Sequence, residues 1–389
     1  MPDGGAHIFP HNYMWSLAAM IAINGGGTAG EVLGVCNTPE LQKASETGDA
    51  RTWVDAWTGL AARVEGLADQ QEAAGHAVSA GETYERASIY YQVAERLIEE
   101  ADPRRNEIFR HSQELFRRFC ERRRQPIEAV TFPYEDQELE AYFVPAAIGT
   151  VPPGSPTPCV VFLDGLDASA ESMTWRALPL AERGMACLVV DGPGWGASLR
   201  LKGLTTRHDY EIVASAAVDY LERRDDVDHD RIGVMAISLG GYYAPRVAAF
   251  EPRFAAGAAW GAQWDYPEIL RGRLERGWRS TDNVSAPRHQ AAWVFGVDSL
   301  EAAVEAASGF RLDGVAQKIT CPFLVVHGEA DSQVPTTHAE ALYAAIGAED
   351  KELKIFTREE TGAEHCQWDN VVMAQHYIFD WLGDRLVSP

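Results

Sequence analysis

The second half of the chain contains short, continuous runs of aliphatic and β-branched residues, separated by segments with helical periodicity. Four runs are clear and a weaker one follows, at residues 159–163, 186–190, 232–237, 323–326 and 354–356. Runs without polar alternation are typical of strands covered on both faces, as in parallel sheets. Their alternation with helical patterns such as residues 210–223 predicts an α/β fold with a doubly wound, mostly parallel sheet.

The first half of the chain has a helical pattern instead. Apolar residues recur at helical spacing in residues 53–67 and 84–98, and again behind the helix start at Asp102 and Pro103. We therefore predict a helical N-terminal domain over residues 1–126 and an α/β domain over residues 127–389, which opens with two strands in residues 128–144.

One part of the α/β half lacks strand patterns, from about residue 261 to residue 316. This segment is rich in Trp, Arg and Glu and lies between two predicted strands. An insertion of this kind above the carboxyl edge of a sheet predicts a helical lid.

Charge and cysteine usage limit the classes of partner. The chain has 57 acidic and 34 basic residues, a formal net charge of −23, and six scattered cysteines. Such a surface repels phosphate backbones and anionic lipids, so we expect a small-molecule substrate rather than nucleic acid or membrane partners. No basic residue precedes the short apolar run at residues 14–23, which favours a cytoplasmic protein with reduced thiols. The glycine-rich residues 25–30 lack the context of a phosphate loop.

The segment most informative about chemistry is residues 231–242, where an apolar strand runs directly into Ser238 and then into a helical pattern. Ser238 is flanked at minus two and plus two by Ala236 and Gly240. A serine between two small residues at a strand-to-helix turn is typical of a nucleophile elbow, in which the tight turn projects the hydroxyl from the sheet edge. Ala236 stands where glycine is usual, and it satisfies the same steric requirement.

A serine nucleophile needs a base and a group that orients the base. Asp331 follows the buried run at residues 323–326 and precedes Val334 and Pro335, which makes it the predicted acid, with Glu329 as its rival. His365 lies in the loop after the last predicted strand and is the predicted base. The order serine, acid, histidine is that of the α/β-hydrolases.

Acyl transfer also requires donors for the developing oxyanion. We expect the backbone N–H of Leu239 to be one donor, and that of Gly165 or Leu166 in the loop after an early strand to be the other. No histidine pair shows metal-ligand spacing, so the sequence indicates neither a metal nor a cofactor.

From residue 128 to its end the chain resembles the α/β-hydrolase family. Within that family it resembles the group of the 2,6-dihydroxypseudooxynicotine hydrolases and the fungal polyketide-shortening hydrolases of pigment synthesis. The resemblance rests on the motifs at residues 84–91, 165–169, 238–244, 251–254, 260–261 and 364–366. It implies hydrolysis of a carbon–carbon bond next to a ketone through a serine triad, under covering helices. Relatives are often dimeric, so the resemblance includes a homodimer among the expected states.

The resemblance also implies an additional carboxylate from the lid region, for which Asp265 and Glu268 are candidates; both also fit as solvated lid charges. Aromatic residues are concentrated in or near the same segment: Trp260, Trp264, Tyr266, Trp278 and Trp293. They could form a pocket for a flat aryl or polyketide substrate, or they could pack the lid onto the helical domain.

Two other functions fit the same residues. An esterase, thioesterase, peptidase or transacylase would use the same triad, because only the leaving group differs. A catalytically inactive binding module would retain the fold, but the presence of nucleophile, acid, base and oxyanion loop argues against it.

Overall fold

The computed structural model describes residues 8–278 and 286–387. The chain divides into two compact units. Of the described residues, one unit comprises Ile127–Arg276 and residues 292–387; the other comprises residues 8–126, 277–278 and 286–291. Residues 277–278 and 286–291, which the sequence analysis placed in the inserted lid of the α/β domain, therefore group with the helical unit.

The α/β unit is built on a twisted sheet that has eight strands among the described residues. The strands are β1 Glu128–Tyr134, β2 Gln137–Val144, β3 Thr157–Leu163, β4 Ala186–Asp191, β5 Val227–Ile237, β6 Phe254–Trp260, β7 Phe323–Gly328 and β8 Lys351–Phe356. Their order is β1-β2-β4-β3-β5-β6-β7-β8. β2 pairs antiparallel with β1 and β4, and the other pairings are parallel. The parallel strands therefore end at one edge, where the loops that follow them meet.

Strand β6 was not predicted from the sequence. It consists of small residues apart from its aromatic ends, and Ala and Gly have little strand preference of their own. The structure gives the reason for the small residues. A Cβ atom added at Gly257 would lie 2.6 Å from the ring of Phe323 on the neighbouring strand β7. Tertiary packing thus selects glycine in a strand that periodicity does not reveal.

Helices of the α/β unit connect and cover the strands. They are α7 Ala170–Met173, α8 Ala177–Ala181, α9 Gly196–Lys202, α10 Glu211–Leu221, α11 Gly240–Phe250, α12 Tyr266–Glu275, α14 Leu300–Ala306, α15 Thr336–Ala345 and α16 Val371–Leu386. The division between the two units falls within α13, Arg288–Phe295. Short 3-10 turns occur at Thr174–Arg176, Ala307–Gly309, Ala316–Lys318 and His365–Gln367.

The helical unit contains six helices among its described residues up to Pro126. They are α1 Tyr13–Asn24, α2 Ala29–Cys36, α3 Pro39–Thr47, α4 Ala50–Ala73, α5 Ala77–Glu95 and α6 Arg104–Cys120. Its core includes a chain of contacting aromatic rings, from Trp15 through Trp53 and Trp57 to Tyr90. A buried ion pair joins Arg105 to Glu95, and Arg105 also donates to Gln290. None of the helices described is long and apolar enough to cross a bilayer.

Candidate active site

Ser238 lies on a sharp turn between β5 and α11. Its φ of +61° is in the left-handed region, which a non-glycine residue seldom occupies. Its N–H donates to the carbonyl of Trp260 at 2.9 Å, which fixes the turn against β6. A Cβ atom at Gly240 would lie only 2.7 Å from the Cβ of Ala236. The small residues predicted around the serine are therefore required by the turn itself.

His365 reaches Ser238 from the loop after β8. Its Nε2 lies 2.9 Å from Oγ of Ser238. The loop is held by Asp369, whose carboxylate accepts the N–H groups of Gly362, Ala363 and Glu364 at 2.9–3.1 Å. The imidazole is thus placed by a backbone turn rather than by a regular element, which is why only the loop and not its geometry could be predicted.

Asp331 lies on the other side of the imidazole. Its Oδ2 is 2.7 Å from Nδ1 of His365, and its side chain is fully buried. Its Oδ1 accepts the N–H groups of Gln333 and Val334 at 2.8 and 2.9 Å. The rival, Glu329, is exposed and accepts the N–H of Arg358 instead. The structure therefore brings together Ser238, His365 and Asp331.

The charges of this group support one another. Burial tends to raise the pKa of Asp331, but the facing imidazoles of His365 and His327 outweigh it, and the pKa is lowered. Burial tends to lower the pKa of His365, but the carboxylate of Asp331 outweighs it, and the pKa is raised well above its ordinary value. Asp331 is thus ionised and stabilises an imidazolium at His365.

The imidazole of His327 contacts two residues of the loop that carries the acid. Its Nε2 lies 2.9 Å from the carbonyl of Val334 and 3.4 Å from Oδ2 of Asp331. The ring is fully buried at the end of β7. His327 therefore packs directly behind the acid and helps to fix its loop.

The predicted oxyanion donors lie beside the elbow, with one difference from expectation. A Cβ atom at Gly165 would lie 2.8 Å from Cβ of Ser238 and 3.3 Å from the backbone nitrogen of Leu239. The N–H of Gly165, however, donates to Oδ1 of its neighbour Asp164 at 2.6 Å. The N–H of Gly165 is therefore engaged within its own loop in this conformation, and the absence of a side chain at Gly165 allows the close approach to the elbow. Leu239 and Leu166 stay the predicted donors.

Asp191, at the end of β4, braces the loop that follows β3. Its carboxylate accepts the N–H groups of Ala170 and Ala197 at 2.7 and 2.8 Å, and so ties the starts of α7 and α9 together. A Cβ atom at Gly196 would overlap this carboxylate at 1.8 Å. Burial, with a contribution from Glu171, raises the pKa of Asp191 well above its ordinary value.

The candidate lid residues have mostly local roles. Asp265 caps α12 by accepting the N–H of Glu268 at 3.0 Å, and its carboxylate lies 3.4 Å from Nε of Arg311. Glu268 is exposed. Trp260 is fully buried at the end of β6, and its Nε1 donates to Gln367 at 2.7 Å. Trp264 is half-buried.

The aromatic cluster in the structure contains other residues than the aromatic pocket that the sequence predicted. Tyr266 packs against Phe295 and Phe310, with ring centroids 6.1 and 6.3 Å apart, and Phe310 continues the contact to Tyr242 and Tyr243. Trp278 belongs to the helical unit. The sequence analysis missed the two phenylalanines because they lie 29 and 44 residues beyond Tyr266 in the chain.

Three further polar residues near the site carried no sequence signal. His338 accepts the N–H of Trp264 at Nδ1, 3.2 Å away, and burial lowers its pKa, which favours this neutral acceptor form. Arg176 is buried against the rings of Trp175 and Trp260, and burial lowers its pKa to about 10. Gln263 is buried directly after β6. These residues come close to the loops of the candidate triad only when the chain is folded.

The sheet order, the parallel strands around β5 and the elbow serine bonded to histidine and aspartate define the class of this protein as an α/β-hydrolase. Sequence-family models agree with that class. The model for the prolyl oligopeptidase family matches residues 171–387, and the model for FrsA-like esterases matches residues 49–270. The chain belongs to the prolyl oligopeptidase family of α/β-hydrolases and is a hydrolase.

Similarity to individual proteins extends over nearly the whole chain. It is 31% identical over 342 residues to the 2,6-dihydropseudooxynicotine hydrolase of Paenarthrobacter nicotinovorans, covering 87% of this chain and 85% of that protein. It is 29% identical over 372 residues to the 20-hydroxy-prefusarin hydrolase FUS2 of Gibberella moniliformis, covering 86% and 88%. A crystal structure of 2,6-dihydroxy-pseudo-oxynicotine hydrolase superposes with a TM-score of 0.78 and 28% identity, covering 95% and 96%. The predicted fold class and the resemblance are confirmed.

Proposed function

We propose that this protein hydrolyses a carbon–carbon bond next to a ketone, in an aryl ketone, β-diketone or polyketide-type substrate. Ser238 is the nucleophile, His365 the base and then the acid, and Asp331 the carboxylate that orients and charges the imidazole. The observation that carries the proposal is the hydrogen-bonded series of these side chains, with 2.9 Å between Ser238 and His365 and 2.7 Å between His365 and Asp331.

The first half of the reaction forms an acyl-enzyme. Oγ of Ser238 attacks the ketone carbon while its proton passes to Nε2 of His365. The carbonyl oxygen becomes an oxyanion, for which the N–H of Leu239 is the donor that directly follows the nucleophile. When the intermediate collapses, the carbon–carbon bond breaks and its electron pair leaves with the departing carbon.

The second half restores the enzyme. The imidazolium of His365 gives its proton to the departing carbon, so one product is a ketone or arene with a new C–H bond. Water then loses a proton to His365 and attacks the acyl group, and Ser238 leaves with that proton. The sum is ketone plus water giving a carboxylic acid and the protonated leaving group.

Expulsion of carbon is the demanding step, because a free carbanion is far more basic than an alkoxide. It requires a leaving group stabilised as an enolate or phenol-like system, and an acid ready to protonate it. The carboxylate of Asp331 raises the pKa of His365 against the opposing effect of burial, so the imidazolium formed during the attack is stabilised until it protonates the departing carbon. The resemblance to hydrolases of ketone substrates supports the same choice.

A second candidate, ester hydrolysis, is favoured by the match of residues 49–270 to the FrsA-like esterases. The decisive experiment gives purified protein benzoylacetone and phenyl acetate in parallel and quantifies acetate, acetophenone and phenol by chromatography. We expect acetophenone and acetate from benzoylacetone, with kcat reduced about 10⁶-fold in Ser238→Ala.

Efficient release of phenol from phenyl acetate, together with no cleavage of benzoylacetone, would replace this proposal by the esterase. A fluorophosphonate probe provides the control for an inactive binding module. It should label the wild-type protein once per chain and leave Ser238→Ala unlabelled, and an unlabelled wild-type protein would contradict any serine mechanism.

A further inference from the structure

Two polar side chains, one in the segment after β6 and one on the first residue of α12, have no hydrogen-bond partner among the residues that the structure describes. The hydroxyl of Tyr266 and Oε1 of Gln263 are both buried without a donor or acceptor in reach. The two residues are 2% and 3% exposed. Burying a polar group without a partner costs free energy, so such groups in a folded protein call for an explanation.

Neighbouring tyrosines show that this is not a general property of the aromatic cluster. The hydroxyl of Tyr210 donates to the carbonyl of Pro193 at 3.1 Å, and that of Tyr242 to the carbonyl of His208 at 2.8 Å. The hydroxyl of Tyr243 lies 2.5 Å from Oγ1 of Thr206. The hydroxyl of Tyr266 is the exception within a cluster that otherwise satisfies its phenols.

The segment that carries both side chains lies against the nucleophile elbow. β6 ends at Trp260, which is paired in register with Ile237, the residue before Ser238. A Cβ atom at Gly261 would lie 3.6 Å from the backbone nitrogen of Ser238, and the N–H of Gln263 donates to the carbonyl of Gly241. Gln263, the first of the two residues, therefore lies three positions after Trp260, whose carbonyl accepts the N–H of Ser238.

The segment is also fixed rather than loose. His338 accepts the N–H groups of Trp264 and Asp265 at Nδ1, 3.2 and 3.4 Å away. The N–H of Tyr266 donates to the carbonyl of Phe310 at 3.1 Å. With the backbone bonded on both sides, the two side chains do not owe their lack of partners to a badly packed turn.

We propose that Gln263 and Tyr266 form a polar subsite for the oxygen atoms of the leaving group. Tyr266 donates a hydrogen bond to the carbonyl oxygen that becomes the enolate oxygen, and Gln263 accepts one from an enol or phenol hydroxyl. The class of ligand is thus an enolised β-diketone or a hydroxyaryl ketone. This inference rests on the proposed function for the position of the site. It adds that the enzyme recognises the oxygen atoms of the leaving group.

The protonation state of Tyr266 suits a donor. Burial, the largest cause, raises its pKa to about 12, and the nearby Arg273 only partly opposes this effect. The phenol therefore keeps its proton at neutral pH. A hydrogen bond from it would favour the enolate over the ketone, because the charge that develops on that oxygen strengthens the bond.

The test measures binding without turnover, in the Ser238→Ala background of the full chain. Calorimetric titration compares benzoylacetone with benzylacetone, which lacks only the carbonyl next to the ring. We expect Tyr266→Phe to raise the Kd of benzoylacetone about tenfold and to leave that of benzylacetone unchanged, since one hydrogen bond is lost. Gln263→Met should likewise weaken binding of a hydroxyaryl ketone but not that of its deoxy analogue.

Tyr243→Phe is the matched control, because it removes a hydroxyl that already has a protein partner. It should lower the melting temperature without changing the ratio of the two Kd values, whereas Tyr266→Phe should not lower the melting temperature. Equal weakening of both ketones in Tyr266→Phe, no weakening of either, or no binding of benzoylacetone to the Ser238→Ala parent would overturn the subsite. Failure of the proposed function is separate, because it appears as absent turnover by the wild-type protein.

Discussion

Nδ1 of His365 and Oδ2 of Asp331 lie 2.7 Å apart, although the residues are separated by 34 positions and belong to loops after two different strands. The side chain of Asp331 is fully buried, and that of His365 is 5% exposed. An ionised carboxylate at this distance orients the ring and stabilises its protonated form. The pH dependence of the enzyme should therefore depend on this pair.

The first prediction concerns the loss of wild-type activity at low pH, the acid limb of the pH–rate profile. Catalysis requires a neutral His365 to accept the serine proton, and Asp331 raises the pKa of that imidazole against the opposing effect of burial. A raised pKa means that the proton is retained to higher pH. Activity should thus fall as pH decreases through a midpoint above the ordinary histidine value of about 6.5. A profile of kcat/KM against pH checks this, and a midpoint below that value would contradict it.

Replacement of Asp331 by Asn should change both the rate and the profile. The amide cannot stabilise an imidazolium, so burial dominates, the pKa of His365 falls and the acid limb moves to lower pH. We expect kcat to fall about 10⁴-fold at the optimum. Glu329→Gln is the control, because Glu329 is exposed. This substitution should leave both kcat and the midpoint of the acid limb nearly unchanged. A larger loss in Glu329→Gln than in Asp331→Asn would reverse the assignment of the acid.

Gly165→Ala should damage catalysis more than folding. The added Cβ would lie 2.8 Å from Cβ of Ser238 and 3.0 Å from the carbonyl of Ile237, so the loop or the nucleophile must move. Displacements of this size cost up to about 100-fold in kcat. Steady-state kinetics and thermal melting measure the two effects.

Gly66→Ala supplies the comparison for that variant. Gly66 is inside α4, where an added Cβ meets nothing within 4 Å. The substitution should stabilise the helical unit by about 0.5–1 kcal/mol and leave kcat unchanged. Full activity in Gly165→Ala would show that the loop tolerates displacement from the elbow.

Loss of a charge from the buried ion pair of the helical unit should destabilise the protein far more than loss of a charge from an exposed pair. The side chains of Arg105 and Glu95 are 1% and 3% exposed. Glu95→Leu removes the carboxylate from a buried guanidinium and should lower the free energy of unfolding by about 3–5 kcal/mol. Asp55→Ala breaks an exposed pair with Arg51 and should cost about 0–1 kcal/mol. Denaturant titration distinguishes them, and similar losses in the two variants would be inconsistent with a buried pair.

Elements with a local pattern were predictable from the residues alone. Continuous apolar runs predicted β3, β4, β5 and β7, and the small neighbours of Ser238 predicted the elbow, because a strand buried on both faces and a tight turn restrict residue types over a few positions. Chain order then selected Asp331 and His365 as the partners of Ser238. These inferences need no knowledge of how distant segments pack.

Features that depend on contacts between distant segments became visible only in the folded chain. Strand β6 is recognisable once the ring of Phe323 explains its small residues. The unpartnered hydroxyl of Tyr266, and the imidazole of His338 that fixes the backbone nearby, leave no periodic trace in the chain. Hydrogen-bond satisfaction and burial are properties of three-dimensional surroundings, so a linear pattern reports which residues can react but not which oxygen atoms they recognise.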